Sequence, residues 1–342
     1  MDFLQEGQFE YGNQVEETRK SRVLRILLQT MFLYQTAAFI SDHNIVVLLN
    51  IFRFFIWMLW SILSIETLKE FHDEIPKTLY SAKRFVGIDE DSMYTRWVVC
   101  VNCSKLFPWK DVVKDRSKLK CDNILYPNHP NLSQRRPCNT RLLDKIISAN
   151  GKKDIYRPRK VYCTRSIKDS LEMFFKRKGF KDSLLSTPST SNAKGHLTDM
   201  KDGDLYKTFK GENGQLYFQN PYNLGFVLNV DWFQPFKNSE YSLGAIYLAI
   251  ANLPRDQRFK WENIILCGVI PGPSEPKHDM NTYLKPIVDE LKEGWTGILI
   301  NDGSIFRKVY KFALICIASD IPATRKCGGF VSFSAFKGLF TS

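Results

Sequence analysis

Apolar positions recur at helical spacing from about Glu16 to Val86, as in RVLRILLQTMFLYQTAAFI, and Ser41-Asp42 offers a helix start ahead of a second run. This pattern predicts a helical N-terminal region over residues 1–93. Within it, IVVLLNIFRFFIWMLWSILSI from Ile45 to Ile65 is broken only by Asn50, Arg53, Ser61 and Ser64, and is long enough to cross a bilayer. Two readings fit: a membrane anchor at residues 45–65, and a buried helix of a folded domain. A charge near the centre, as at Arg53, costs roughly 2.5–3.5 kcal/mol in a bilayer. That cost and the amphipathic continuation ETLKEFHDEIPKTLYSAKRFVGI favour the buried helix.

Further along, the period changes. GFVLNVDWF, YSLGAIYLAIANL and ENIILCGVIPG are β-rich runs joined by short connections, the pattern of consecutive antiparallel strands. NTYLKPIVDELKEGW then predicts a helix, with Asn281 as its cap and Pro286 as an awkward interior position. KVYKFALICIASD is a fourth β-rich run that ends in a carboxylate, Asp320. These shifts divide the chain into a helical region (1–93), a cysteine-rich module (94–145), a basic connector and linker (146–203) and a strand-rich core (204–342). The linker is the Ser/Thr/Gly/Asp-rich stretch SLLSTPSTSNAKGHLTDMKDG.

Charge sharpens the picture. The 48 Lys and Arg exceed the 36 Asp and Glu of the 342 residues, a formal +12 that favours an anionic partner. The connector KKDIYRPRKVYCTRSIKDSLEMFFKRKGFKD interleaves cations with aromatics, which suits phosphate contact and base stacking as well as a solvated helix face. The N-terminus shows no basic stretch leading into an apolar one, so no secretory signal is expected.

Of eight cysteines, four fall between Cys100 and Cys138, which reads as a metal site more readily than as a disulfide framework. Cys267 and Cys316 lie in apolar runs and are expected in the core. CVNC supplies Cys100 and Cys103 for a structural zinc ion. The second pair is open at this level, with Cys121 and Cys138 giving a four-cysteine site and His129 and Cys138 giving Cys3His.

Asp231 is placed inside an otherwise apolar strand pattern, where a carboxylate needs a partner. If the helix returns the chain so that the fourth strand lies parallel to the first, as in a ribonuclease-H-like fold, Asp231 and Asp320 come together at the sheet's edge. Two carboxylates there repel, and a divalent cation such as Mg²⁺ compensates them. The plainer reading of Asp231 is a strand-end acid bonded to a turn.

LNVDWFQPF, the run from YSLGAIYLAIANL to VIPGPSEP, YLKPIVDELKEGW and SDIPATRK together resemble, in order, the core of the CACTA-type (En/Spm-like) transposases from about Asp202 to Gly329. VVCVNCSKLF and YPNHPNLSQRRPC are similar to the zinc-finger-like region before that core in fungal-type members, and ISDHNIVVLLNIF more weakly to their helical start. The resemblance implies a DDE-type nuclease and strand transferase acting on DNA at transposon ends with Mg²⁺ or Mn²⁺, possible homo-oligomers, and residence in the nucleus. By position it implies Asp231 as the first catalytic acid and Asp320 as the second. The family pattern continues beyond RKCGGFVSFSAFKGLFTS to a third acid, so the expectation is a chain truncated before it and not active alone. Glu290 and Glu293 lie on the predicted helix, the wrong place for that ligand. The expected class is therefore α+β: a helical N-terminal region, a zinc-binding module and an incomplete ribonuclease-H-like (DDE) domain with a mixed sheet. A zinc-containing DNA-binding or interaction protein without catalysis is the alternative.

Overall fold

The computed structural model describes residues 19–38, 40–88, 93–147, 154–186, 197–237, 240–276 and 280–330. The N-terminal stretch scanned for a secretory pattern, the middle of the linker and the tail beyond Phe330 lie outside the described residues. Two units separate, Met1–Met93 and Tyr94–Ser342.

The first unit contains α1 (Arg19–Ala37), α2 (Asp42–Leu63), α3 (Glu66–Glu74) and α4 (Leu79–Phe85). Ser41 caps α2 as expected, its hydroxyl accepting from Asn44 N–H. Leu24, Leu28, Ile45, Leu49, Ile56 and Ile75 form a small core. The buried-helix expectation for α2 is met along one stripe only. Ile51, Phe54, Phe55 and Trp57 are exposed, and α2 is long and apolar enough to cross a membrane.

The second unit opens with β1 (Thr95–Val99), β2 (Leu106–Pro108), β3 (Leu143–Ile147), β4 (Asp154–Pro158) and β5 (Val161–Thr164). Then follow α5 (Ile167–Phe175), α6 (Phe180–Leu185), α7 (Asp204–Thr208), β6 (Asn223–Phe233), β7 (Leu243–Ile250), α8 (Arg255–Arg258) and β8 (Ile264–Ile270). It closes with α9 (Met280–Thr296), β9 (Ile298–Ile300), β10 (Lys308–Ile317) and α10 (Ile321–Gly328). One mixed sheet runs β2-β1-β5-β8-β7-β6-β10-β9, and β3 with β4 forms a separate hairpin.

The β6-β7-β8 meander is antiparallel, α9 carries the chain back, and β10 lies parallel beside β6. β1 and β5 continue the same sheet beyond β8, so strands from the cysteine-rich and basic segments share the sheet of the core. Along β6, Leu224, Phe226, Leu228 and Val230 face the main core, which α5, α6, α9 and α10 cover. On the opposite face Val227, Ala249 and Ala251 form a small buried cluster, with Met200 and Tyr206 packed against it.

Cys267 is fully buried as expected, whereas Cys316 is exposed, because it pairs with Val227 on the thinly covered face. The aromatics of the basic stretch also differ from a stacking platform: Tyr162, Phe175 and Phe180 are core residues, since the strand alternation of β5 and the apolar faces of α5 and α6 turn them inward. Part of the linker is anchored too. Asp199 accepts two bonds from the buried Arg258 guanidinium, at 2.8 and 2.9 Å.

Helix α9 runs through Pro286 and includes Asn281 inside its first turn, so Asn281 is not its cap. Its stripe of Met280, Tyr283, Leu284, Ile287, Leu291 and Gly294 is buried. Each large apolar side chain in that stripe contributes about 1.5–3 kcal/mol. Together they outweigh the roughly 3 kcal/mol cost of a proline in a helix interior. Gly294 lets α9 lie on Phe312 of β10: an added Cβ would sit 2.1 Å from the ring. Gly294→Ala should therefore destabilise the unit by about 2 kcal/mol, the overpacking cost exceeding the gain in helix propensity. Urea unfolding followed by circular dichroism reads this, and an unchanged midpoint would show that the contact yields freely.

Candidate metal centre and acidic pair

The C-terminal end of β6 is one end of the sheet, and the strand directions collect several segments there. These are the β1–β2 turn, the entry to β5, the entry to β7, the exit from β8 and the exit from β10. Both groups of predicted site residues lie at this end.

Cys100 and Cys103 sit on the β1–β2 turn, where Ser104 N–H donates to Cys100 C=O and Cys100 N–H to Lys105 C=O. Cys121 and Cys138 come from two facing segments tied by the bridges Lys120↔Arg141 and Ile124↔Pro137. All four Sγ atoms lie within 4.8 Å of one another, with Cys100–Cys138 at 3.6 Å and Cys103–Cys121 at 3.5 Å. Zn–S bonds of ~2.3 Å in a tetrahedron set sulfur–sulfur edges of about 3.8 Å. The four soft donors therefore fit a metal such as zinc, and all four are free thiols.

Burial pushes the Cys103 and Cys121 thiols up. At Cys138 burial also acts upward, but the Thr140 hydroxyl and the Asn102 amide outweigh it and hold the thiol down to about 6. His129 lies outside the cluster. It is exposed, and its Nδ1 accepts from Asn131 N–H at 3.1 Å. The Cys3His alternative is thereby corrected to four cysteines, because the bridged segments bring Cys121 and not His129 to the turn.

Asp231 and Asp320 stand at the adjacent ends of the parallel strands β6 and β10. Where β10 leaves the sheet, Ala318 N–H donates to Leu228 C=O, the Asn229 amide donates to Ala318 C=O, and Val230 N–H donates to Ser319 Oγ at 2.7 Å. The Ser319 side chain thus prolongs the ladder by one bond and holds the two acid-bearing ends side by side. Asp231 is exposed and pairs in register with Ala245. Burial, with the Asp231 charge adding to it, raises the nearby Tyr247 phenol. Asp320 caps α10, its Oδ1 accepting from Ala323 N–H at 2.7 Å.

Among the described residues no third His, Cys, Asp or Glu joins this pair in a metal-sized group. Glu290 is engaged elsewhere. Its carboxylate accepts from Ser166 Oγ and from the N–H groups of Ile167 and Lys168, at 2.8–2.9 Å, and so caps α5 from across the fold. Ser319 and Asn229 were not singled out from the sequence, and Glu290 was noted there only as an acid misplaced for a third ligand. The first two flank the aspartates at close spacing, which is a usable signal; the Glu290 contact spans more than 120 residues and leaves none.

No curated protein matches the chain. Residues 194–339, which carry β6 to α10 and both aspartates, match the model of Transposase family tnp2, and over that stretch the chain is similar to this family of transposases.

Proposed function

We propose that the chain is a transposon-derived protein of the CACTA type, with a ribonuclease-H-like core whose Asp231 and Asp320 hold Mg²⁺ or Mn²⁺ against DNA in the nucleus. The observation that carries this reading is the side-by-side placement of the two acids at the ends of parallel strands β6 and β10, within the stretch similar to Transposase family tnp2. The donors suit the ion: exposed carboxylate oxygens are hard ligands for Mg²⁺, which keeps waters and phosphate oxygens in its remaining positions. A divalent ion bound there supplies Lewis acidity that lowers the pKa of its water and stabilises a leaving phosphate oxygen. The chain's own contribution is rigidity: the Ser319 and Asn229 bonds fix the spacing, and the cap on α10 fixes the Asp320 rotamer.

Catalysis by a DDE-type site needs a third acidic ligand, and the described residues bring none to the pair. That favours the second reading, a zinc-containing DNA-binding protein that does not cleave alone. The test therefore reads metal binding and not cleavage. Zinc-loaded protein is incubated with Fe²⁺, ascorbate and peroxide, which cut the backbone beside the bound ion. Cuts near residues 231 and 320 are expected, suppressed by excess Mg²⁺ and absent from Asp231→Asn. An identical cutting pattern in that variant would remove the acidic pair as a metal site and leave the second reading. The exposed apolar face of α2 favours a further alternative, a membrane anchor, which carbonate-resistant sedimentation with membranes would support.

A further inference from the structure

The same end of the sheet carries a second feature that the acidic pair does not use. Between the β3–β4 hairpin and the Pro271–Pro273 loop runs a cleft of about 550 Å³ lined by Arg157, Arg159, Lys160 and Tyr241. Its floor is preformed. Ser242 N–H donates to Pro273 C=O at 2.9 Å, and Gly272 lets the Tyr241 ring lie against the loop, since an added Cβ would sit 2.8 Å from that ring.

Three cations face the cleft against one acid, Asp144, which holds Arg159 through Nε at 3.2 Å. That bond fixes the Arg159 guanidinium at the rim. Lys160 lies with its ammonium over the Tyr283 ring, and Arg157 is exposed on β4.

The position of the cleft follows from the strand order. It opens at the entry to β5, which lies four strand spacings from β10, or about 19 Å at ~4.8 Å per spacing. The four-cysteine turn after β1 is one spacing further out. Between cleft and acids stand Tyr241 and Phe236, whose rings touch edge to face at 5.9 Å. A duplex advances ~3.4 Å per base pair, so a backbone laid along this end would reach the acids, three and four spacings away, about four to six base pairs from the cleft.

We infer that the cleft walled by Arg157, Arg159 and Lys160 is a phosphate-backbone track for duplex DNA, gripping the flank about four to six base pairs from the position that Asp231 and Asp320 would address. The inference rests on the proposed function for its partner but not on metal binding or cleavage. It also gives the four-cysteine centre a purpose, because that centre stiffens the β1–β2 turn beside the track, where Val99 N–H donates to Lys160 C=O.

The test is fluorescence anisotropy of a labelled 30-base-pair duplex of arbitrary sequence with the full zinc-loaded chain, over a range of salt. Arg157→Glu/Arg159→Glu should weaken binding about tenfold or more and lower the slope of log affinity against log salt by about 1–2. The control carries the same change in net charge at the opposite end of the sheet, Arg307→Glu/Lys308→Glu, both exposed; its binding should stay within about twofold. Equal weakening by both pairs would show a bulk charge effect and overturn the track, as would wild-type protein that does not bind duplex. Loss of iron cutting with normal duplex binding, or the reverse, tells failure of the metal reading from failure of the track.

Discussion

Cys121→Ser is expected to strip the metal from the four-cysteine centre and to lower stability by about 3 kcal/mol, while His129→Ala leaves both unchanged. The core around the centre is small: Val98, Phe107, Val112, Leu142 and Leu143 are its buried apolar members besides Cys100 and Cys121. So little apolar surface is a weak hold on the long connection between Cys103 and Cys138, and a metal held by the four thiols would supply the cross-link that the core lacks. Cys121 is 1% exposed, so the serine also leaves a hydroxyl among apolar groups. Zinc content of protein purified in the presence of a weak chelator should fall from one ion per chain to near zero, and the melting temperature of the second unit by roughly 6–12 °C. His129, exposed and bonded to Asn131, has neither role. Zinc retained in Cys121→Ser and lost in His129→Ala would reverse the assignment.

The contrast between these two residues shows what the sequence makes legible. The Cys-x2-Cys turn is visible because both ligands lie on one tight connection, as is the Ser41 cap, because caps act within a few residues. The alternation of GFVLNVDWF and the order of strands and helix were readable for the same reason, and they place Asp231 on β6 and Asp320 just beyond the neighbouring β10. The choice between Cys121 and His129 was not, because it depends on the bridges Lys120↔Arg141 and Ile124↔Pro137 between separate segments. Nor was the extension of the sheet through β5 and β1, since the pairing of β5 with β8 joins residues about one hundred positions apart. The aromatics of the basic stretch illustrate the converse. Composition put Tyr162 among the cations, but alternation along VYCT, a signal present in the sequence, turns it into the core and leaves Arg157, Arg159 and Lys160 at the cleft.

Asp302→Asn should cost about 2–3 kcal/mol at neutral pH and much less at pH 2, so that the acid limb of the stability curve flattens. Asp302 lies in the connection from β9 to β10, 2% exposed. Burial alone would raise its pKa, but Lys181 Nζ at 2.8 Å, the Ser304 N–H and the Tyr310 hydroxyl at 2.9 Å outweigh it and hold the carboxyl down to about 2. In the unfolded chain the same group titrates near 3.9. The folded value is the lower one, so the unfolded state binds more protons as pH falls. The contribution is full above about pH 4 and is lost between pH 4 and 2; the shift corresponds to about 2.5 kcal/mol. Burial and the neighbouring Asp302 carboxylate push the Tyr310 phenol up, so that it stays a donor throughout. The asparagine keeps the shape but leaves Lys181 facing a neutral amide. Because the connection leads directly into β10, loosening it also loosens the strand that presents Asp320 beside Asp231. Urea unfolding at several pH values between 2 and 7 gives the curve for each protein. A loss of equal size at pH 2 and pH 7 would mean that the amide disturbs packing and that the carboxylate charge carries none of the effect.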